Sequence, residues 1–309
     1  MKHSVKITIL LIGMFFLAQI IGMAVTNFYS PKIVQNVDAS GNVTNLTNYN
    51  LPYWAEPPQK NNPNVNLISI IISFVFIIGI MFIIMKYKVE FFLRVWFFTV
   101  IVLSISITLN AALSILENSS FISFLIALPL AYMKVFKRNI IIHNTTELMI
   151  YPGIAAILVP LLNVFAIIVL FIIISLYDIY AVWHSGFMQK MAKYQIKNLK
   201  IFSGFFIPYL RKKERDALLR IKSKNLKNKR IKVNIAILGG GDIVFPIVFS
   251  GIVLHTFGFI PAFFIAVGAT AALAYLLHIS EKGKFYPAMP YISIGCFIAL
   301  AIAYLLNML

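Results

Sequence analysis

The chain has 309 residues, 60% of them hydrophobic and 12% charged, with a mean hydropathy of +0.87, whereas soluble domains hold about 45–50% apolar and about 25% charged residues. That balance excludes a soluble globular enzyme, a disordered chain and a coiled coil, and identifies a polytopic membrane protein. Cys296 is the only cysteine, which excludes an intrachain disulfide and a zinc site built on cysteines, and the formal charge of +17 must be explained by where the basic residues fall.

Apolar runs bounded by charge, Pro or Asn predict an all-α polytopic membrane protein of nine transmembrane helices. The first run covers 5–26. Lys2 and Lys6 ahead of it also suit a secretory signal peptide, but 22 residues is long for such an apolar core. The connection 27–66 holds Pro31, Pro52, Pro57, Pro58 and Pro63 with many Asn, and reads as an outside loop. Asn42 and Asn45 begin N-x-[ST] sequons in it, as Asn118 and Asn144 do further on. Spans two to four cover 67–85, 95–113 and 121–136. The fifth, 148–162, carries Pro152, Gly153 and Pro160, which membrane helices tolerate where neighbours satisfy the backbone. The sixth is 164–183. A strongly basic stretch, 189–232, comes next, and within it the apolar and aromatic 201–210 suits an amphipathic segment lying in the interface. Spans seven to nine cover 233–254, 258–278 and 288–307. Nine spans of about 20 residues use about 180 of the chain. No separate soluble domain fits, so the expected parts are a six-helix bundle (1–183), a basic loop (184–232) and a three-helix part (233–309).

Basic residues set the expected orientation. With the N-terminus inside, 25 of the 27 Lys and Arg face the cytoplasm, leaving Lys32 and Lys60 outside. Fifteen of them lie in 189–232, where Glu214 and Asp216 reduce the net charge to +13. That loop is expected to rest near anionic headgroups, each basic residue contributing about 1 kcal/mol. The positive charge therefore needs no nucleic-acid partner. The N-terminus is expected in the cytoplasm and the C-terminus outside, in the cell membrane if the source is a prokaryote.

Eight of the ten acidic residues, Asp38, Glu56, Glu90, Glu117, Glu147, Glu214, Asp216 and Glu281, fall in loops or at span ends. Asp178 and Asp242 lie inside apolar runs. A carboxylate near the bilayer centre costs at least about 2.5–3.5 kcal/mol, which marks a functional site. Counted along straight helices, Asp178 lies about 8 Å and Asp242 about 14 Å from the inner end of its span. Gly239, Gly240 and Gly241 precede Asp242; each glycine costs a helix about 1 kcal/mol relative to Ala, so unwinding is expected there. No Lys-Ser/Thr follows the glycines, which rules against a phosphate cradle.

Three short motifs now coincide: Tyr177-Asp178 in the sixth span, Gly239-Gly240-Gly241-Asp242 in the seventh, and Pro287-Ala288-Met289-Pro290 opening the ninth. In order and layout the chain resembles the presenilin and signal peptide peptidase family of intramembrane aspartyl proteases, with their YD, GxGD and PAL motifs. Ile243 and Pro246 resemble the signal-peptide-peptidase branch, and the compact length resembles archaeal members. Met289 stands where the family usually has Leu, and Tyr286 precedes the motif. The resemblance implies catalytic Asp178 and Asp242, with Tyr177, Gly239, Gly240, Gly241, Pro287, Ala288 and Met289 positioning substrate. It implies no cofactor and no metal, transmembrane proteins as substrates, and no particular oligomeric state.

The chemistry of the residues agrees with that expectation. Two carboxylates sharing a site hold one proton between them, so one activates water and the other protonates the carbonyl oxygen, as a pair. Pro287 and Pro290 lack N–H groups and leave irregular backbone near Ala288 and Met289 that suits an extended substrate. Tyr177 and Tyr180 suit the lining of a wet cavity. The rival class is an ion- or proton-coupled transporter using paired intramembrane Asp. Prepilin-type peptidases have fewer spans and no PAL element. A rhomboid serine site fails because Ser185, Ser203 and Ser250 lack the preceding Gly, and none of the five histidines begins a His-Glu-x-x-His zinc motif.

Overall fold

A computed structural model of the chain describes residues 5–37, 43–48, 51–53, 63–87, 90–137, 139–184, 203–209, 234–281 and 285–306. The helices are α1 (Val5–Phe28), α2 (Pro63–Tyr87), α3 (Glu90–Ala112), α4 (Ser119–Phe136), α5 (Ile140–Leu158), α6 (Val164–Trp183), α7 (Gly240–Phe257), α8 (Phe259–Ile279) and α9 (Met289–Leu305). Six of these, α1, α3, α4, α6, α7 and α8, are long and apolar enough to cross a membrane. The polar run His143–Glu147 lowers the hydropathy of α5, and α9 has 17 residues. The chain is thus a multi-pass helical membrane protein.

Polar side chains set several of the boundaries. Asn139 caps α5 by accepting from the N–H groups of Ile141 and Ile142, at 2.9 and 3.4 Å, and Asn163 caps α6 through the N–H of Ala166 at 2.7 Å. Between the two helices, Pro160 sits in a single 3-10 turn, Val159–Leu161. Helix α5 continues through Pro152, and next to it Gly153 packs directly on α3: a Cβ there would lie 2.0 Å from the carbonyl oxygen of Ser104. Backbone contact this close admits glycine alone.

Helix α7 is the centre of the molecule. Of its residues 72% are buried, against 17–44% for the other five long apolar helices, and it packs on α1, α5, α6, α8 and α9. Pro246 interrupts its hydrogen-bond ladder, and one turn earlier the carbonyl of Ile243 accepts from Gln19 Nε2 of α1 at 3.2 Å. The outward faces of the surrounding helices, with Ile72, Phe91, Trp96, Phe121 and Phe259 exposed, are the apolar surface that lipid covers.

Two short antiparallel pairs add to the helical body. In the proline-rich connection β1 (Lys32–Val37) pairs with β2 (Val43–Asn48). The second pair corrects two expectations. Strand β3 (Gly204–Tyr209) occupies the stretch read as an interfacial amphipathic segment, and β4 (Asn234–Gly239) occupies the first turns of the expected seventh span. Helix α7 therefore begins at Gly240, not at 233. Alternation of buried Ala236 and Leu238 with exposed Ile235 and Ile237 explains the strand: a two-residue period was embedded in an apolar run. Apart from 203–209, the basic stretch 189–232 lies outside the described residues.

Candidate active site

Each of the two intramembrane carboxylates stands at the mouth of a helix. Helix α9 begins at Met289 with Ala288 as its N-cap, and no side chain of its own caps it. Pro290 at its second position removes one of the amide donors that a helix start leaves without a partner. The N–H of Met289 remains and donates to Asp178 Oδ2 at 3.0 Å, and the N–H of Ala288 faces the same carboxylate. Asp178 thus does for α9, from α6, what an N-cap side chain ordinarily does within one helix. One turn away, Ser175 Oγ and Ser293 Oγ lie 2.8 Å apart and hold the two helices in register. The Pro-Ala-Met-Pro motif and the Tyr-Asp motif are in this way one contact.

Asp242 is the third residue of α7, and its side chain turns back over the helix start: a Cβ on Gly239 would lie 3.1 Å from Asp242 Oδ2. This is the placement of the acidic member of a capping box. It also corrects the depth comparison made along straight spans, because the residues before Gly240 are strand. The three glycines differ in what they admit. A Cβ on Gly240 would meet Ser203 Oγ at 2.6 Å and Tyr151 Oη at 3.0 Å, whereas one on Gly241 would meet nothing closer than Phe245 at 3.8 Å. The carboxylate of Asp178 stands within electrostatic reach of Asp242, and α6 packs on both α7 and α9.

Of the other expected residues, Pro287 and Met289 are buried and Ala288 is half-buried beside Asp178. Tyr177 is 38% exposed, so its ring lies at the edge of the helix surface, and Tyr180 stacks on His184 with centroids 5.7 Å apart. Among the described residues no cluster of His, Cys, Asp and Glu is arranged to hold a metal ion.

The strand pair beside Asp242 escaped the sequence reading. Phe206 exchanges two 3.0 Å hydrogen bonds with the Asn144 side chain of α5, and His143 Nε2 donates to the Gly204 carbonyl at 2.9 Å. The even-numbered backbone groups of β3 therefore point away from β4, and Pro208, which has no N–H, falls on that same edge. By register, Ile235, Ile237 and Gly239 of β4 direct their N–H and C=O groups to the opposite edge, which no strand pairs among the described residues. Glu147 was also misread. It is fully buried two turns into α5 and forms an ion pair with Lys134 of α4, their side chains 1% and 3% exposed. The i, i+4 spacing of His143 and Glu147 was the available signal, since it puts both on one helix face.

A family described as signal-peptide peptidase, presenilin aspartyl protease matches residues 33–309. Two solved structures of a presenilin family intramembrane aspartate protease, one in space group C222 and one in P2, superpose with a TM-score of 0.58 each. Their sequences are 14% and 15% identical to this one, over 96% of both chains, so the likeness is one of fold. No curated protein matches the sequence.

Proposed function

Because this chain belongs to the signal-peptide peptidase and presenilin aspartyl protease family, we propose that it is a GxGD-type endopeptidase that cleaves transmembrane segments with Asp178 and Asp242 as its catalytic pair. The observation that carries this reading is the junction at Asp178: the carboxylate of the Tyr-Asp motif accepts from the backbone of the Pro-Ala-Met-Pro motif, within electrostatic reach of Asp242. The packing of α6, α7 and α9, which carry the three motifs, on one another supports the pairing.

In the proposed reaction the pair holds one proton. One carboxylate takes a proton from water as its oxygen attacks the scissile carbonyl, while the other gives its proton to the carbonyl oxygen. The tetrahedral diol then collapses; the amide nitrogen leaves with a proton from the pair and the C–N bond breaks. Helical substrates must first unwind, since their carbonyls are hydrogen-bonded. The unpaired edge of β4, at Ile235, Ile237 and Gly239, leads straight into Asp242 and suits an extended substrate added as a third strand. Gly241, where a Cβ would meet nothing closer than Phe245 at 3.8 Å, suits close approach of that strand.

The wider layout in this proposal is nine spans, the N-terminus in the cytoplasm and the C-terminus outside, with 184–232 as a basic cytoplasmic loop joining the six-helix part to the three-helix part. Support comes from the 25 basic residues that this arrangement places inside. The test of function uses the purified full chain in detergent with a transmembrane peptide. Cleavage is expected, and its loss in both Asp178→Asn and Asp242→Asn; near-full hydrolysis by either variant overturns the reading.

A further inference from the structure

Asn144 begins one of the N-x-[ST] sequons, and the structure gives its amide a different task. Its Oδ1 accepts from the N–H of Phe206 and its Nδ2 donates to the carbonyl of the same residue, both at 3.0 Å. An amide side chain carries an acceptor and a donor, as a peptide group does. Asn144 therefore stands where a neighbouring strand would stand, exchanging both hydrogen bonds with one residue of β3. One residue earlier on α5, His143 Nε2 donates to the carbonyl of Gly204, two residues away on the same strand edge. The edge of β3 that faces away from β4 is thus fastened to α5 at two successive outward-facing residues, and the next of these is Pro208, which has no N–H to satisfy.

The other side of the pair leads to the carboxylates. Phe206 lies opposite Ile237 in the ladder and Gly204 opposite Gly239, and the N–H of Gly240 donates to the carbonyl of Ser203 at 3.3 Å, so the strands stay joined up to the first residue of α7. Asp242 Oδ2 lies over Gly239. Beyond its continuation into α7, β4 is held by the ladder to β3, and β3 is held by its bonds to α5. We propose that Asn144 is a positioning residue for the substrate strand: by clamping Phe206 it sets the register in which a third strand on β4 is presented to the carboxylates, and so which peptide bond is cut. The inference rests on the proposed cleavage by Asp178 and Asp242 and on strand addition at β4. Register in a strand is specified by what holds its neighbours, and a loosely held edge admits slipped pairings.

The decisive measurement is where the chain cuts, not only how fast. The purified full chain in detergent cleaves a transmembrane peptide, and mass spectrometry assigns the products. Asn144→Leu keeps the size of the side chain and removes both hydrogen bonds. The ratio of the main product to those cut at neighbouring bonds is expected to fall about 5–30-fold, the scale of losing one or two net hydrogen bonds. Asn144→Asp keeps the acceptor for the Phe206 N–H and loses the donor to its carbonyl. It should shift the ratio in the same direction by a smaller factor, and it carries the test if the Leu chain does not fold. A purely structural Asn144 would change the amount of active protein and leave the ratio as it is, since every folded molecule would still cut as the parent does. An unchanged ratio in the folded variants therefore overturns the proposal, whether or not total cleavage falls. Asp242→Asn is run alongside. If it still cleaves, the function reading has failed, whereas an inactive Asp242→Asn beside Asn144 variants that cut the parent's bonds in the parent's ratio sinks only the positioning role.

Discussion

At the scale of single residues, the site is made of carboxylates facing helix starts, and the most direct consequences concern those carboxylates and the glycines beside them. Asp178→Asn and Asp242→Asn should each reduce cleavage to background, and the double variant should be no worse than either, since members of one catalytic unit are not additive. Both should fold, because Asn keeps the shape and removes a group that is costly to hold in a membrane. Gel-filtration profiles and cleavage of a labelled transmembrane peptide read the two properties separately. The glycines should separate as well. Gly240→Ala forces its methyl against Ser203 Oγ and Tyr151 Oη and is expected to cost about 1–3 kcal/mol of overpacking together with most of the activity. Gly241→Ala meets only Phe245 at 3.8 Å and should leave thermal stability in detergent unchanged. If Gly240→Ala melts and cleaves like the parent chain, the close approach at Gly240 is not real.

Among the elements, the β3–β4 pair and the α4–α5 contact make separable claims. Ile237 directs its backbone away from β3, so Ile237→Pro removes one N–H from the free edge and none from the ladder. Activity should fall at least about tenfold while the melting temperature holds. Ala236→Pro, one residue earlier, removes a ladder donor and should lower both. Should the two variants behave alike, the free edge has no role in substrate pairing. At the other contact, Lys134→Met leaves Glu147 as an unpaired buried charge and should destabilise by about 3–5 kcal/mol, whereas changing both to apolar residues should recover most of that loss. Thermal unfolding in detergent compares the three chains.

For the whole molecule, the expectation is one of direction across the membrane. Presenilin-like and signal-peptide-peptidase-like enzymes are similar in motif but opposite in orientation, and Ile243 and Pro246 resemble the second group while the charges favour the first. We give the charges precedence, because facing the +13 stretch 189–232 outward reverses the main topogenic signal, whereas two apolar residues of α7 are buried by packing whichever way the chain lies. The pair should then lie nearer the cytoplasmic face and prefer spans whose N-terminus is outside. A cysteine placed in 189–232 should be shielded from an impermeant reagent on intact cells and reactive once they are permeabilised. The native Cys296 is buried and should contribute little background. Labelling from outside would reverse both topology and substrate direction.

Much of this protein is legible without coordinates. Six long apolar helices lie where the apolar runs predict spans, because in a bilayer the backbone must satisfy itself and a long apolar run has little choice but to be helical. Asp178, Asp242 and the Pro-Ala-Met-Pro stretch stand out for the same reason, since a carboxylate or a proline pair inside such a run is costly unless it serves something. What the tertiary structure decided is who meets whom. The strand 234–239 looked like the opening of a helix because its apolar composition suited either, and only pairing with 204–209 selects the extended form. Glu147 looked like a span-end charge until Lys134 of a neighbouring helix was found beside it. That Met289 serves Asp178 through its amide, not its side chain, follows from α6 and α9 lying together at one helix start. Backbone donors carry no sequence signature, so a contact of that kind is decided by packing alone.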